Sequence, residues 1–73
     1  MNWQLLNSSM LMGVALEPDT LNNLLCKFTG GKVYRVIDGG EHFQPMIDAA
    51  SAGQYYNSTI KNKMTVERAS EYE

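Results

Sequence analysis

The sequence predicts a small α+β protein: an antiparallel sheet of three to four strands with one main helix packed on it. Three observations carry this. An apolar stripe near residues 18–29 lies between helix end signals, residues 32–44 read as a β-hairpin, and alternation of apolar and polar residues returns after Gln54. With 73 residues the chain is expected to be one domain, 1–73.

The first element is an apolar run. Met10, Met12, Val14 and Leu16 fall on one strand face, and Leu11, Gly13 and Ala15 on the other. Such a run fits a strand buried on both faces or a piece of buried helix, and Gly13 and Val14 favour the strand. Trp3, Leu5 and Leu6 before it could open a short helix.

The main helix is expected over 18–29. Pro18 suits a first turn, where its missing N–H costs nothing. Glu17 and Asp19 lie near the positive end of the dipole and Lys27 near the negative end. Gly30 or Gly31 supplies a left-handed terminating residue. Leu21, Leu24, Leu25 and Phe28 have helical spacing and form one stripe.

A hairpin is expected next, near 32–44. Val33 to Ile37 is rich in strand formers, Asp38-Gly39-Gly40 offers the positive φ angles of tight turns, and Glu41 to Gln44 would return. Pro45 limits that returning strand. Residues 45–53 fit a short helix with proline at its start and glycine past its end. Residues 54–69 fit a half-exposed strand, with a helix as the alternative because Ile60 and Met64 also have helical spacing.

Composition excludes several classes. Apolar residues make up 44% and charged residues 19%, a balance of folded rather than disordered chains. A net charge of −2 supplies no field for nucleic acid or an anionic membrane, so neither is an expected partner. Ser9 to Leu16 resembles a short signal core, but no basic residue precedes it, and it is too short to span a bilayer. A cytoplasmic location is therefore expected, and the sequons at Asn7 and Asn57 read as turn sequences. The single cysteine precludes an internal disulfide, and Cys26 and His42 have no ligand-spaced companions, so neither metal nor cofactor is expected.

Chemistry-bearing motifs are sparse. Thr29-Gly30-Gly31-Lys32 lacks the full phosphate-loop pattern. His42 beside Glu41 has no nucleophile tied to it. On the helical wheel Cys26 sits off the leucine stripe, which makes it a candidate for an accessible or interface thiol. Met10, Leu11 and Met12 form a pliable apolar segment, and with Cys26 they are the candidate interface residues.

The expected function is a non-enzymatic binding protein that acts by contact with a protein partner, as a regulator or inhibitor. A chain this short buries only about 60% of its unfolded surface. Surplus apolar surface then points to a homo-oligomer, most simply a dimer. One alternative is an oligomeric binder of a nucleotide or metabolite, with Arg35, Tyr34, Tyr55 and Tyr56 as contact groups. A second is a single-strand nucleic-acid binder using Lys61, Lys63 and the tyrosines. In general character the chain resembles small accessory proteins of bacteriophages and mobile elements.

Overall fold

The computed structural model describes residues 1–20 and 22–73. Among the described residues five strands pair in chain order, each antiparallel to the next: β1 Gln4–Leu5, β2 Leu11–Leu16, β3 Leu24–Phe28, β4 Val33–Val36 and β5 Val66–Arg68. Between β4 and β5 a 3-10 turn, Gly40–His42, leads into α1, Phe43–Asp48, and then α2, Ala52–Tyr55, which continues through a π turn, Tyr56–Ile60. The protein is thus α+β with an antiparallel sheet, one strand larger than expected.

The expected main helix near 18–29 is instead part of the sheet. Leu24–Phe28 is β3, paired with β2 on one side and β4 on the other. Leu21 lies outside the described residues. The helix end signals serve turns. Thr20 Oγ1 accepts the backbone N–H of Asn22 at 3.3 Å and of Asn23 at 3.4 Å, and Glu17 N–H donates to Asn23 O at 3.0 Å to close the β2–β3 loop. The stripe misleads because β3 is covered on both faces. Leu24 and Cys26 bury themselves on the inner face and Leu25 on the outer face, so the period-two contrast of a half-exposed strand is missing.

The hairpin is also shifted. β4 is the expected strand, but its partner precedes it: Cys26 faces Tyr34 and Lys27 faces Val33. The reversal falls at Gly30 and Gly31, with φ of 98° and 95°. A Cβ at either position would meet nothing within 4 Å, so only the backbone demands glycine there. Gly30→Val is therefore expected to cost about 1–2 kcal/mol, while D-alanine at Gly30 in a synthetic chain should melt at or above the parent temperature. Equal melting of both variants with the parent would refute the left-handed turn.

Asp38-Gly39-Gly40 turns the chain out of the sheet rather than back along it, and Glu41 to Gln44 are helical. The positive φ, 58°, belongs to Asp38. Gly39 is required for space, since a Cβ there would lie 2.6 Å from Val36 Cγ1. Pro45 falls in the first turn of α1, as its chemistry allows. Residues 54–69 divide between the two expectations, helical to Ile60 and strand at β5.

β2 is a strand, as its glycine and valine favour, but its faces are not those of plain alternation. Leu11 faces Phe28 and Gly13 faces Lys27, so Met12 is an extra, bulged residue. The bulge lets Leu11 join Val14 on the inner face, where Leu24, Cys26, Val36, Met46, Tyr56 and Ile60 complete the main core. The outer face holds a second, smaller cluster, Ala15, Leu25, Val33 and Ala69, partly roofed by Trp3 and Tyr72.

Candidate interaction surface

The outer face of the sheet has a charged end and an apolar end. At the charged end Arg35 projects from β4 and Glu17 from the close of β2. Arg35 Nε and Nη2 donate to the two Glu17 oxygens at 2.9 and 2.8 Å, a two-pronged pair. Register places Glu67 of β5 opposite Arg35, and Arg35 Nη1 donates to it at 2.8 Å. Arg35 Nη2 also donates to Glu71. Glu17 accepts further from Asn23 Nδ2 at 3.0 Å and from the Tyr72 hydroxyl at 2.9 Å.

These contacts set the protonation states. Hydrogen bonding to Arg35 holds the Glu17 carboxyl down at about 2, against the opposing effect of burial. The Arg35 guanidinium is held more firmly charged by Glu17 and Glu71. Glu73 is lowered to about 2, chiefly by Arg68. Four charged side chains, Glu17, Arg35, Glu67 and Glu71, thus form one cluster, and Arg68 pairs separately with Glu73.

The apolar end lies at the β1 edge. Lys27 Nζ sits 5.7 Å from the Trp3 ring, a cation–π contact that leaves the lysine stem on the sheet. Trp3, Leu5, Met12, Gly13 and Lys27 line a shallow pocket of about 100 Å³. Gly13 permits the close approach of β1, because a Cβ there would lie 3.0 Å from Gln4 O. Leu5 is 75% exposed and Met12 42%, so apolar side chains project into solvent beside an edge strand that pairs on one side only.

The candidate interface residues separate. Met12 is exposed on this surface, whereas Leu11 and Cys26 are fully buried in the monomer core and Met10 packs beside Gly53. Cys26 is therefore not an accessible thiol. It points inward from the central strand, and burial pushes it up to about 12, which keeps it protonated and unreactive. The helical wheel placed it outside because the wheel was the wrong period.

The candidate ligand residues are not brought together. Arg35 is on the outer face, while Tyr34 and Tyr56 are on the inner side, both edge-on to Phe28 with ring centroids 5.5 and 5.1 Å away. Tyr55 is turned toward His42, whose Nδ1 is 2.7 Å from the Tyr55 hydroxyl. His42 is thus a half-buried partner of Tyr55. Lys61 and Lys63 are exposed beyond the π turn, remote in sequence from the Trp3–Lys27 pair. The residues that sequence reasoning missed are Trp3, Leu5, Glu17, Lys27 and Tyr72. The one available signal was charge: the acidic residues after Arg68 lie where Arg35 and Arg68 can take them.

Among the described residues no helix is long and apolar enough to cross a membrane. No protein-family model and no curated protein matches the chain.

Proposed function

We propose that the protein is a non-enzymatic binding module that acts by protein–protein contact, as a regulator or inhibitor, and that it pairs with a second copy of itself through the Trp3–Leu5–Met12 surface. The observation that carries this is the exposure of Leu5 and Met12 beside the open backbone of β1. An edge strand with apolar neighbours invites pairing with another chain. Antiparallel pairing of two β1 edges about a two-fold axis would let one patch cover itself. The internal pairing of Arg35, Arg68 and their carboxylates supports contact over catalysis, since these groups already serve the fold.

Sedimentation velocity tests the proposal. The parent is expected to be dimeric at tens of micromolar, in the range of modest interfaces. Leu5→Asp and Met12→Asp place a charge in the contact, where desolvation is costly, and should sediment as monomers. Both positions are exposed, so melting of the dissociated variants should stay within about 0.5 kcal/mol of the monomeric parent. A parent that stays monomeric at high micromolar concentration would remove the self-pairing.

A further inference from the structure

We propose that two copies pair through β1 in a single register, with the two-fold axis at Gln4, so that each Trp3 lies opposite the partner's Leu5 and the two Gln4 carboxamides bond across the axis. This rests on the self-pairing through β1 proposed above and names the residue that sets its register. Backbone alternation limits the choices. Leu6 N–H donates to Met12 O at 3.0 Å, Gln4 is registered with Val14, and Leu5 with Gly13. In an antiparallel ladder, residues that bond to the neighbouring strand alternate with residues that do not. Gln4 and Leu6 therefore bond to β2, and the N–H and C=O groups of Trp3 and Leu5 point out of the open edge. The Gln4 side chain follows that direction, its Nε2 donating to Leu5 O at 3.4 Å. Side chains alternate between the faces. Trp3 and Leu5 line the pocket on the outer face, Leu6 packs on the main core, and Gln4 is exposed on the helix side of the sheet.

Two copies of this edge must meet through the same outward residues, so within residues 3–5 the axis can fall at Trp3, Gln4 or Leu5. An axis at Trp3 sets Leu5 against the partner's Met1, outside the strand. An axis at Leu5 sets Trp3 against the partner's Asn7, a polar residue also outside it. The axis at Gln4 gives both Trp3 and Leu5 a bonded partner within the segment. It also covers Leu5, 75% exposed, with an indole, a favourable aromatic–aliphatic cross-strand pair. The two Gln4 residues then form a non-hydrogen-bonded pair with Cα atoms about 4.5 Å apart. A carboxamide can donate to its twin and accept from it at once. The bond from Gln4 to Leu5 O in the single chain is long, so releasing it costs little. At the opposite edge β5 exposes Glu67 and Arg68, and charged edge strands resist pairing. Growth of β1 on β5 is thereby disfavoured, and the assembly closes as a dimer.

Cross-linking of the full chain tests the register. Gln4→Cys, Leu5→Cys and Asn2→Cys are oxidised with oxidised glutathione at tens of micromolar, and covalent dimer is followed on non-reducing gels. Cys26 is fully buried, so the parent supplies the background. Gln4→Cys is expected to cross-link roughly tenfold faster than Asn2→Cys, because only thiols at the axis come within disulfide reach. Asn2 is exposed and belongs to the same alternate set as Gln4, so it controls for chance collision at this edge. Gln4→Glu places two carboxylates opposite each other at the axis and should weaken the dimer severalfold in sedimentation, with its melting as a monomer unchanged. Leu5→Cys cross-linking as fast as Gln4→Cys would move the axis to Leu5 and overturn the register, as would Gln4→Cys no faster than Asn2→Cys, or a Gln4→Glu dimer as tight as the parent. Each of these results leaves the self-pairing standing if the parent sediments as a dimer. A monomeric parent would overturn the self-pairing and the register together.

Discussion

Replacing Leu24 by alanine is expected to lower stability by about 2–5 kcal/mol, the usual cost of truncating a fully buried leucine. Leu24 has no solvent exposure, sits on the central strand opposite Leu16 and Val36, and belongs to the main core under the helices. A domain of this size has roughly 5 kcal/mol in total, so the variant should be largely unfolded by moderate urea. Urea unfolding followed by tryptophan fluorescence checks this, with a lower midpoint and an unchanged slope as the expected pattern. Met12→Ala serves as the contrast, because Met12 is partly exposed on the bulge and its truncation should change the monomer's stability by less than about 0.5 kcal/mol. Equal midpoints for Leu24→Ala and the parent would displace Leu24 from the core.

Leu24 also marks how far the sequence could be read. Its burial was legible from apolar character, and so was that of Leu25; the element that buries them was not. A half-exposed strand announces itself by alternation, but β3 has helices on one face and the Trp3–Tyr72 roof on the other, so both of its faces are apolar. Adjacent leucines then imitate a helical stripe. The turn glycines were legible as turn formers, yet Gly30-Gly31 and Asp38-Gly39-Gly40 exchange roles. The positive φ angles of the former join β3 to β4, and the latter launches the helices. β2 and β4 were legible because β-branched residues and an apolar run coincide in them. The candidate surface was hardly legible at all. It is assembled from β1, a bulge and residues 69–73, which are distant in sequence, and pairs such as Glu17 with Arg35 or Tyr72 leave no local pattern.

The two ends of the outer face follow one physical logic. A sheet with helices on one side only must cover its other side with whatever the chain has left. Here Trp3 and Tyr72 close over Ala15, Leu25 and Val33 from opposite ends. Aromatic rings cover much area with little rotameric entropy to lose. Each ring is steadied by a cation, Lys27 under Trp3 and Arg35 beside Tyr72. The Trp3 end finishes at an edge strand with Leu5 left outside, and the Tyr72 end finishes in ion pairs. The first end therefore leaves apolar surface at an open edge, and the second ends in contacts sensitive to salt and pH.

Glu17→Ala should be the most damaging substitution outside the main core, costing about 2–4 kcal/mol. It removes the acceptor of both Arg35 prongs, of Asn23 Nδ2 and of the Tyr72 hydroxyl at once, and the Arg35 side chain that remains is only 13% exposed. Much of the loss comes from leaving that guanidinium without its main partner, so Glu17→Leu combined with Arg35→Leu should recover a large part of it. The same network predicts the acid limb of stability. Glu17 is lowered from 4.5 to about 2 by Arg35, Glu71 is lowered by Arg35, and Glu73 is lowered to about 2 by Arg68. A carboxyl depressed in the folded state contributes its full stabilisation above its unfolded pKa and loses it as pH falls through the folded one. Melting temperature should therefore be nearly level from about pH 5 to 7 and fall between about pH 4 and 2. In the Glu17→Leu/Arg35→Leu protein that fall should be much shallower, because Glu17 is gone and Glu71 has lost its cation, leaving Glu73 with Arg68 as the remaining acid-sensitive pair. An acid limb as steep in the double variant as in the parent would place the titrating carboxylates elsewhere and remove the Arg35 cluster as the source of acid sensitivity.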